Sequence, residues 1–445
     1  MHLVCLNDLD LLLGLWRGLI QSYKPDSKDS WEWFVLKGKV WQSHGKTIAR
    51  ATLYLPSSFD QAPWNPTEKI NLGYKAWEYL LYLFALGPAL LCSILPPCYW
   101  KSYCKLVRGI QLLQQHRTIL PDQLVEGTRL LCEFVKEFEE LYYMRRPDHL
   151  HFIRQSIHML THIGPETVRV GPLACYAQWV MEMLIGSLGE EIHQDLDPYA
   201  NILQRAILRA QMNCIQFQIP DIQLTPPTSK NSLPKHAKPI DGTGYLLLPH
   251  RQETLIDVSD LEADAIMDLW RQNQWPNADK WPRCVKRWGR LRLPNGQVAR
   301  SIWMEKRPGI HRSLRNTRNV QVLINANGRI RFAEVQYFFQ LRFGKVIHTL
   351  VLVSIYSPPD MSLLAESFQT VYACDYQGDT NLCAIFVSDI SAVVAMVPFF
   401  TITNEGDIIT PENRYFLVKK PGLEISELRG EEEDDIEGDE DADIV

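Results

Sequence analysis

The sequence predicts an α+β chain with helices over the first half, strands over the second and an acidic tail that cannot fold. Three observations predict it. From Leu3 to about Gln216 apolar residues recur at helical spacing; beyond Val320 they alternate or form short β-branched runs; and Glu431 to Asp443 carries ten acids and no base. At 445 residues the chain exceeds what one hydrophobic core ordinarily serves. The expected organisation is a helical 1–216, a linker at 217–245, a basic, strand-rich 246–425 and a disordered tail at 426–445.

In the helical half, Leu106, Val107, Ile110 and Leu113 fall on one face. Pro121-Asp122 is a good helix start, and Leu124, Leu131, Val135, Phe138 and Tyr142 form the next stripe. The uncharged run Tyr79 to Leu95 is at the short limit for a membrane span and contains Gly87-Pro88, so it reads as a buried helical hairpin broken there. The apolar N-terminus has no preceding basic region and is interrupted by Asp8 and Asp10, which argues against a signal peptide.

Pro, Ser, Thr and Lys dominate Pro220 to Pro239, as in a linker. Ser259-Asp260-Leu261-Glu262 is a capping box ahead of Ala265, Ile266, Leu269 and Trp270, and opens one helix in the second half. Val320 to Ile324, an Asn327-Gly328 turn and alternating Val335, Tyr337, Phe339, Leu341 and Phe343 predict a hairpin. With the runs Leu350–Tyr356 and Ala384–Phe400 they predict a small sheet or barrel.

Ten cysteines are scattered without a C-x-x-C pair, as expected of buried reduced thiols in an intracellular, nuclear or cytoplasmic protein. The formal charge of -6 belongs to the tail, without which 46 bases face 42 acids.

Lys280 to Arg318 holds twelve Lys and Arg against one acid, Glu305. Within it Arg283, Lys286, Arg287, Arg290 and Arg292 are interleaved with Trp281, Trp288 and Trp303. Guanidinium groups pair with phosphates and indoles stack on bases, so these eight residues are the candidate nucleic-acid contacts. The competing reading is a solvated basic face whose tryptophans belong to the core, or a dock for an acidic protein or for the chain's own tail. A second cluster holds His149, His151, His158 and His162. The last two, four apart, would share a helical face and could hold a metal. No glutamate follows His158 as the metalloprotease motif requires, and the sequence contains neither a Gly-rich phosphate loop nor a Gly-x-Ser-x-Gly elbow.

A family resemblance adds to this. Met1-His2-Leu3-Val4-Cys5-Leu6-Asn7, Leu15-Trp16-Arg17-Gly18, Phe134 to Tyr142, His158-Met-Leu-Thr-His162, Gly171-Pro172-Leu173 and Met181-Glu182-Met183-Leu184-Ile185-Gly186 follow one another in an order that resembles the later part of CACTA-type (En/Spm-like) transposases of basidiomycete fungi. Arg331 to Tyr337 and Val393 to Pro398 resemble the strand-rich region after that core. The resemblance implies a partial RNase H-like core. In the family two Asp and one Glu hold a pair of Mg²⁺ or Mn²⁺ ions for phosphodiester strand transfer, with ions about 3.5–4 Å apart. Glu182 matches the Glu, while the family's second Asp would stand just before Met1. The resemblance therefore implies a truncated, DNA-binding transposase derivative without independent catalysis. The alternative is a chromatin- or protein-interaction module whose C-terminal sheet and acidic tail bind a protein.

Overall fold

The computed structural model describes residues 2–59, 62–70, 73–114, 118–172, 181, 185, 197–219, 236–240, 242–249, 251–252, 254–276, 281–306, 315–324, 329–343 and 346–423. Helices come first and sheets second, which makes the chain α+β; among the described residues no strand precedes Lys238. The Asn327-Gly328 turn, most of the linker and the acidic tail lie outside the described residues. The chain divides into two compact units, and the division does not follow the change from helix to strand. The described residues among 2–174 pack with those among 236–423, and the described residues between 175 and 235 belong to the other unit.

In the larger unit, helix α1 (Leu9–Trp16) comes after a π-helical turn at His2–Asp8, and α2 spans Gly38–Ala51. Helices α3 (Pro97–Gln114) and α4 (Pro121–Phe138) pack on each other. Leu106, Val107, Ile110 and Leu113 are all fully buried, as their spacing predicts. On α4, Leu131 and Phe138 are buried while Leu124 and Val135 lie at the margin of the stripe. Glycines set the closeness of this pair. A Cβ on Gly109 would lie 2.7 Å from Leu131, and one on Gly127 2.8 Å from Leu113, so neither position accepts a larger residue without displacing its partner. Beyond α4, Tyr142 accepts a 2.9 Å hydrogen bond from Trp16 Nε1 in the buried interior.

The Tyr79–Leu95 run does not break at Gly87-Pro88. Helical backbone continues from Ala76–Tyr79 through a π-helical stretch, Leu80–Leu86, into Gly87–Leu90, and the corner falls after it, before α3. Pro88 has no N–H to give, so the carbonyls one turn earlier need other donors. They find them on α3. Gln111 Nε2 donates to Phe84 O at 3.1 Å and the Tyr103 hydroxyl donates to Leu83 O; Trp100 Nε1, also on α3, donates to the carbonyl of Pro88 itself at 2.8 Å. Tertiary partners thus override the local break signal. Among the described residues no helix is long and apolar enough to cross a membrane.

Among the strands of the two sheets around the basic strip are β1 (Arg287–Trp288), β2 (Arg290–Arg292), β3 (Val298–Arg300), β4 (Asn319–Ile324), β5 (Arg329–Phe343), β6 (Val346–Ile355), β7 (Leu382–Phe386) and β8 (Ile390–Val393); the short pairs Lys238–Pro239 and Leu246–Leu247 extend the smaller sheet beside β2. The main sheet is antiparallel in the order β7-β6-β5-β4-β8, with β1 paired to β5 at Arg287↔Phe339. It is an open sheet, so the small-sheet expectation holds and the barrel does not. The predicted hairpin is β4–β5, in register from Asn319↔Glu334 to Ile324↔Arg329.

Both faces of this sheet are covered. One packs against Leu247, Leu291 and Ala299 of a second, smaller sheet that contains β2 and β3; the other packs against Ile266, Leu269 and Trp270 of helix α5 (Asp260–Gln272). That is why Leu350 to Val353 are apolar without alternation and all fully buried. Each such aliphatic side chain contributes about 1.5–3 kcal/mol by leaving water. The register of β5 against β6 shifts at Gln336, so that Val335 faces one layer and Tyr337 the other.

The helical and strand-rich regions share an interface. Ser43 Oγ of α2 donates to Gly406 O at 2.6 Å, Ile402 N donates to Ser93 Oγ at 3.1 Å, and Asn316 N donates to Leu53 O at 3.2 Å. In the smaller unit the helix Pro198–Gln218 is capped by Asp197, whose Oδ1 accepts from Ala200 N.

Candidate functional site

The basic strip folds into β1, β2, β3 and the segments around them, and its cations meet different fates. Arg283 and Lys286 are exposed. Arg287 is half-buried, lies 3.3 Å from Glu262 and stacks over the Tyr337 ring at 4.3 Å. Arg290 is 5 % exposed and stands directly across the β2–β3 ladder from Arg300, which is 8 % exposed. Arg292 is half-buried. The strip has one acid in sequence, but the fold brings three more to it. Asp260 lies 3.4 Å from Arg283, Glu262 meets Arg287, and Glu334 on β5 meets Arg318 at 2.5 Å. Burial alone would lower the Arg318 pKa, but Glu334 and Glu305 together raise it above the usual arginine value. A count along the chain overstates the charge available to a ligand, because α5 and β5 supply counterions from elsewhere.

The tryptophans are placed mainly in the interior. Trp288 is 5 % exposed and belongs to the core between the two sheets. Trp281 and Trp303 pack, half-buried, against the core under α5, and Trp281 Nε1 donates to Cys284 O at 3.3 Å. Their indole faces are engaged by protein, so the charge, not the rings, is what this surface offers a polyanion.

The fold adds cations that the strip does not contain. Lys238 sits over the Trp288 ring at 5.3 Å, and Arg251 bridges to Trp288 across the chain. Both are exposed, and Gln252 N donates to Arg287 O at 2.8 Å to fix that segment beside β1. Lys238 and Arg251 therefore both meet Trp288 of β1, the exposed Lys286 lies two residues before it in the chain, and Arg283 pairs with Asp260 at the N-terminus of α5. Neither Lys238 nor Arg251 could be found by reading the strip, since one lies in the predicted linker and the other reaches β1 through a β-bridge to Trp288.

The four histidines of the second cluster do not form one site. His149 is fully buried. Its Nδ1 lies 2.9 Å from Tyr142 O, which can only accept, and its Nε2 lies 3.2 Å from Asp26 Oδ1. Trp31 Nε1 donates to Asp26 Oδ2 at 2.8 Å, and Arg146 reaches both Asp26, at 3.5 Å, and Asp148. Ligand atoms of Asp26, Asp148 and His149 all lie within 4.8 Å of one another, which is close enough for a metal. However, Arg146 already supplies the positive charge these carboxylates need. The geometry is that of a buried ion-pair network tying the loop before Trp31 to the segment after α4. Asp26 is separated from His149 by more than a hundred residues, and no local spacing signals the pair.

His151 Nε2 contacts Gln21 O at 2.6 Å. His158 and His162 are both exposed, and their Nε2 atoms lie 3.1 Å apart. The predicted shared face is therefore present, although the helix tightens there from α, Gln155–Met159, to 3-10, Leu160–His162.

Glu182 lies outside the described residues. Asp8, close to α1, is buried, and burial pushes its carboxyl up to about 7. Arg154 and the nearby Ser156 hydroxyl oppose that shift, but no hydrogen bond of ordinary geometry reaches either carboxyl oxygen. Of the cysteines, Cys104 and Cys374 are buried as expected; Cys98, Cys132 and Cys214 are exposed, against the expectation of buried thiols, and Cys132 directly follows the buried Leu130 and Leu131. On an amphipathic helix the residue after two buried leucines turns outward.

No family model, curated protein or solved structure matches this chain.

Proposed function

We propose that the chain is a nucleic-acid-binding protein derived from a cut-and-paste DNA transposase, gripping duplex DNA through the basic sheet edge at β1. The observation that supports it best is that Lys238 and Arg251 both meet Trp288, within a few residues of the exposed Lys286 and Arg283. Exposed Lys and Arg neutralise phosphates and release counterions, which gives binding that is sequence-tolerant and weakened by salt. The order of sequence blocks from the N-terminus to Gly186 supports the transposase descent. A partial RNase H-like core belongs to the same proposal, with Glu182 as one carboxylate of a site for Mg²⁺ or Mn²⁺, and DNA as the partner implies nuclear work.

In this reading the chain binds without cutting. Full-length protein should shift a short labelled duplex and should not nick supercoiled DNA with Mg²⁺ or Mn²⁺. Nicking that disappears in Glu182→Ala would replace the binding role with a catalytic one. Binding to an acidic protein with none to duplex would instead favour a chromatin- or protein-interaction module.

A further inference from the structure

We infer that His158 and His162 form a two-imidazole site for a borderline divalent transition ion of the Zn²⁺, Ni²⁺ or Cu²⁺ class. This does not rest on the DNA-binding reading, because the site lies in the helical region and none of its atoms belongs to the basic edge.

The two ring nitrogens already stand at a chelating distance. A metal bound by two imidazoles at about 2.0–2.1 Å holds their nitrogens roughly 2.9 Å apart at a right angle and roughly 3.3 Å apart in a tetrahedron. The observed Nε2···Nε2 separation is 3.1 Å, between these limits, with the rings inclined at 80°. Both side chains are exposed, so a hydrated ion can approach and no buried group has to move. The backbone holds the spacing firmly. Leu160 between the two histidines is fully buried, and Thr161 Oγ1 donates to His158 O at 2.8 Å. Ligand atoms are thus positioned before any ion arrives, which reduces the ordering cost of binding.

The chemistry of the donors selects the ion class. Neutral imidazole suits zinc, nickel and copper, with Cu²⁺ tightest in the usual order, and discriminates against Mg²⁺ and Ca²⁺, which require oxygen ligands. Two protein ligands leave the remaining positions to water or to a group brought by a partner, so the site is open. Protons compete for the same nitrogens, so affinity should fall as the solution is made more acidic. The buried Asp26–Asp148–His149 cluster is the rival location, but there Arg146 stands where a cation would have to go.

The test titrates full-length protein with Cu²⁺ at neutral pH, read by electron paramagnetic resonance and calorimetry. Wild type, His158→Ala, His162→Ala and His149→Ala are compared, with circular dichroism confirming that each variant is folded. The expected result is a signal from two nitrogens, with affinity reduced by about tenfold or more in each of the first two variants, since losing a ligand should cost at least what losing a supporting group does. Wild-type affinity in either His158→Ala or His162→Ala would overturn the assignment. So would loss of binding in folded His149→Ala with both exposed-site variants intact. Because these side chains are exposed, the readout is not confounded by unfolding.

Discussion

The hydroxyl of Ser43 donates a 2.6 Å hydrogen bond to the main-chain oxygen of Gly406, more than three hundred residues away. It joins α2 to the turn between the short strands Thr401–Ile402 and Ile408–Ile409. Gly406 has φ of +82°, and a Cβ there would lie 2.8 Å from Lys39 Cγ and 2.9 Å from the Lys39 backbone. The helical and strand-rich regions meet on this glycine.

Gly406→Ala should therefore destabilise the larger unit by roughly 2–3 kcal/mol, from an unfavourable backbone conformation and overpacking together. Ser43→Ala should cost about 1 kcal/mol, the net value of one hydrogen bond. Lys39→Ala should cost little, because its ion pair with Asp407 is open to water on both sides. Denaturant midpoints of the three variants check the ranking; a Gly406→Ala midpoint equal to wild type would show that the two regions do not depend on this contact.

Asp26→Asn should cost about 3 kcal/mol or more, because it leaves Arg146 and the buried His149 without a shared carboxylate. Chemical denaturation measures it. A variant as stable as wild type would mean that the network contributes nothing.

Asp8 gives a prediction with a sign. Its carboxyl is raised from 3.8 to about 7 by burial, so the folded state holds the proton more tightly than the unfolded chain. Its contribution is fully present below about pH 4 and is lost progressively as pH rises to about 7. Asp8→Asn should flatten that part of the stability profile and stabilise the protein above pH 7, by at most about 4 kcal/mol. Thermal midpoints across this range decide it, and parallel profiles for variant and wild type would contradict it.

Much of the architecture was legible in residue patterns. The stripes of α3 and α4, the capping box at Ser259 and the β4–β5 hairpin all rest on local periodicity, which the fold obeys. What was not legible depends on distant partners. Gly87-Pro88 carries a strong break signal, yet Gln111 and Tyr103 supply the donors that let the helix continue. The strip from Lys280 to Arg318 is correctly dense in cations, but Asp260, Glu262 and Glu334 reach it only through tertiary packing. Lys238 and Arg251 join it for the same reason, and the partnership of His149 with Asp26 has no counterpart in local spacing.

The burial of Arg290 separates structural from ligand-facing cations within the strip. Arg290→Ala should lower stability by about 2 kcal/mol and leave the salt dependence of DNA binding unchanged where the protein remains folded. The most direct test of DNA binding through the β1 edge is the slope of log affinity for duplex DNA against log salt concentration, measured for wild type and for Lys238→Ala/Arg283→Ala/Lys286→Ala. Phosphate contacts at this edge predict a steep wild-type slope that becomes shallower by roughly one for each contact removed, about three in all. Equal slopes for the two proteins would contradict it.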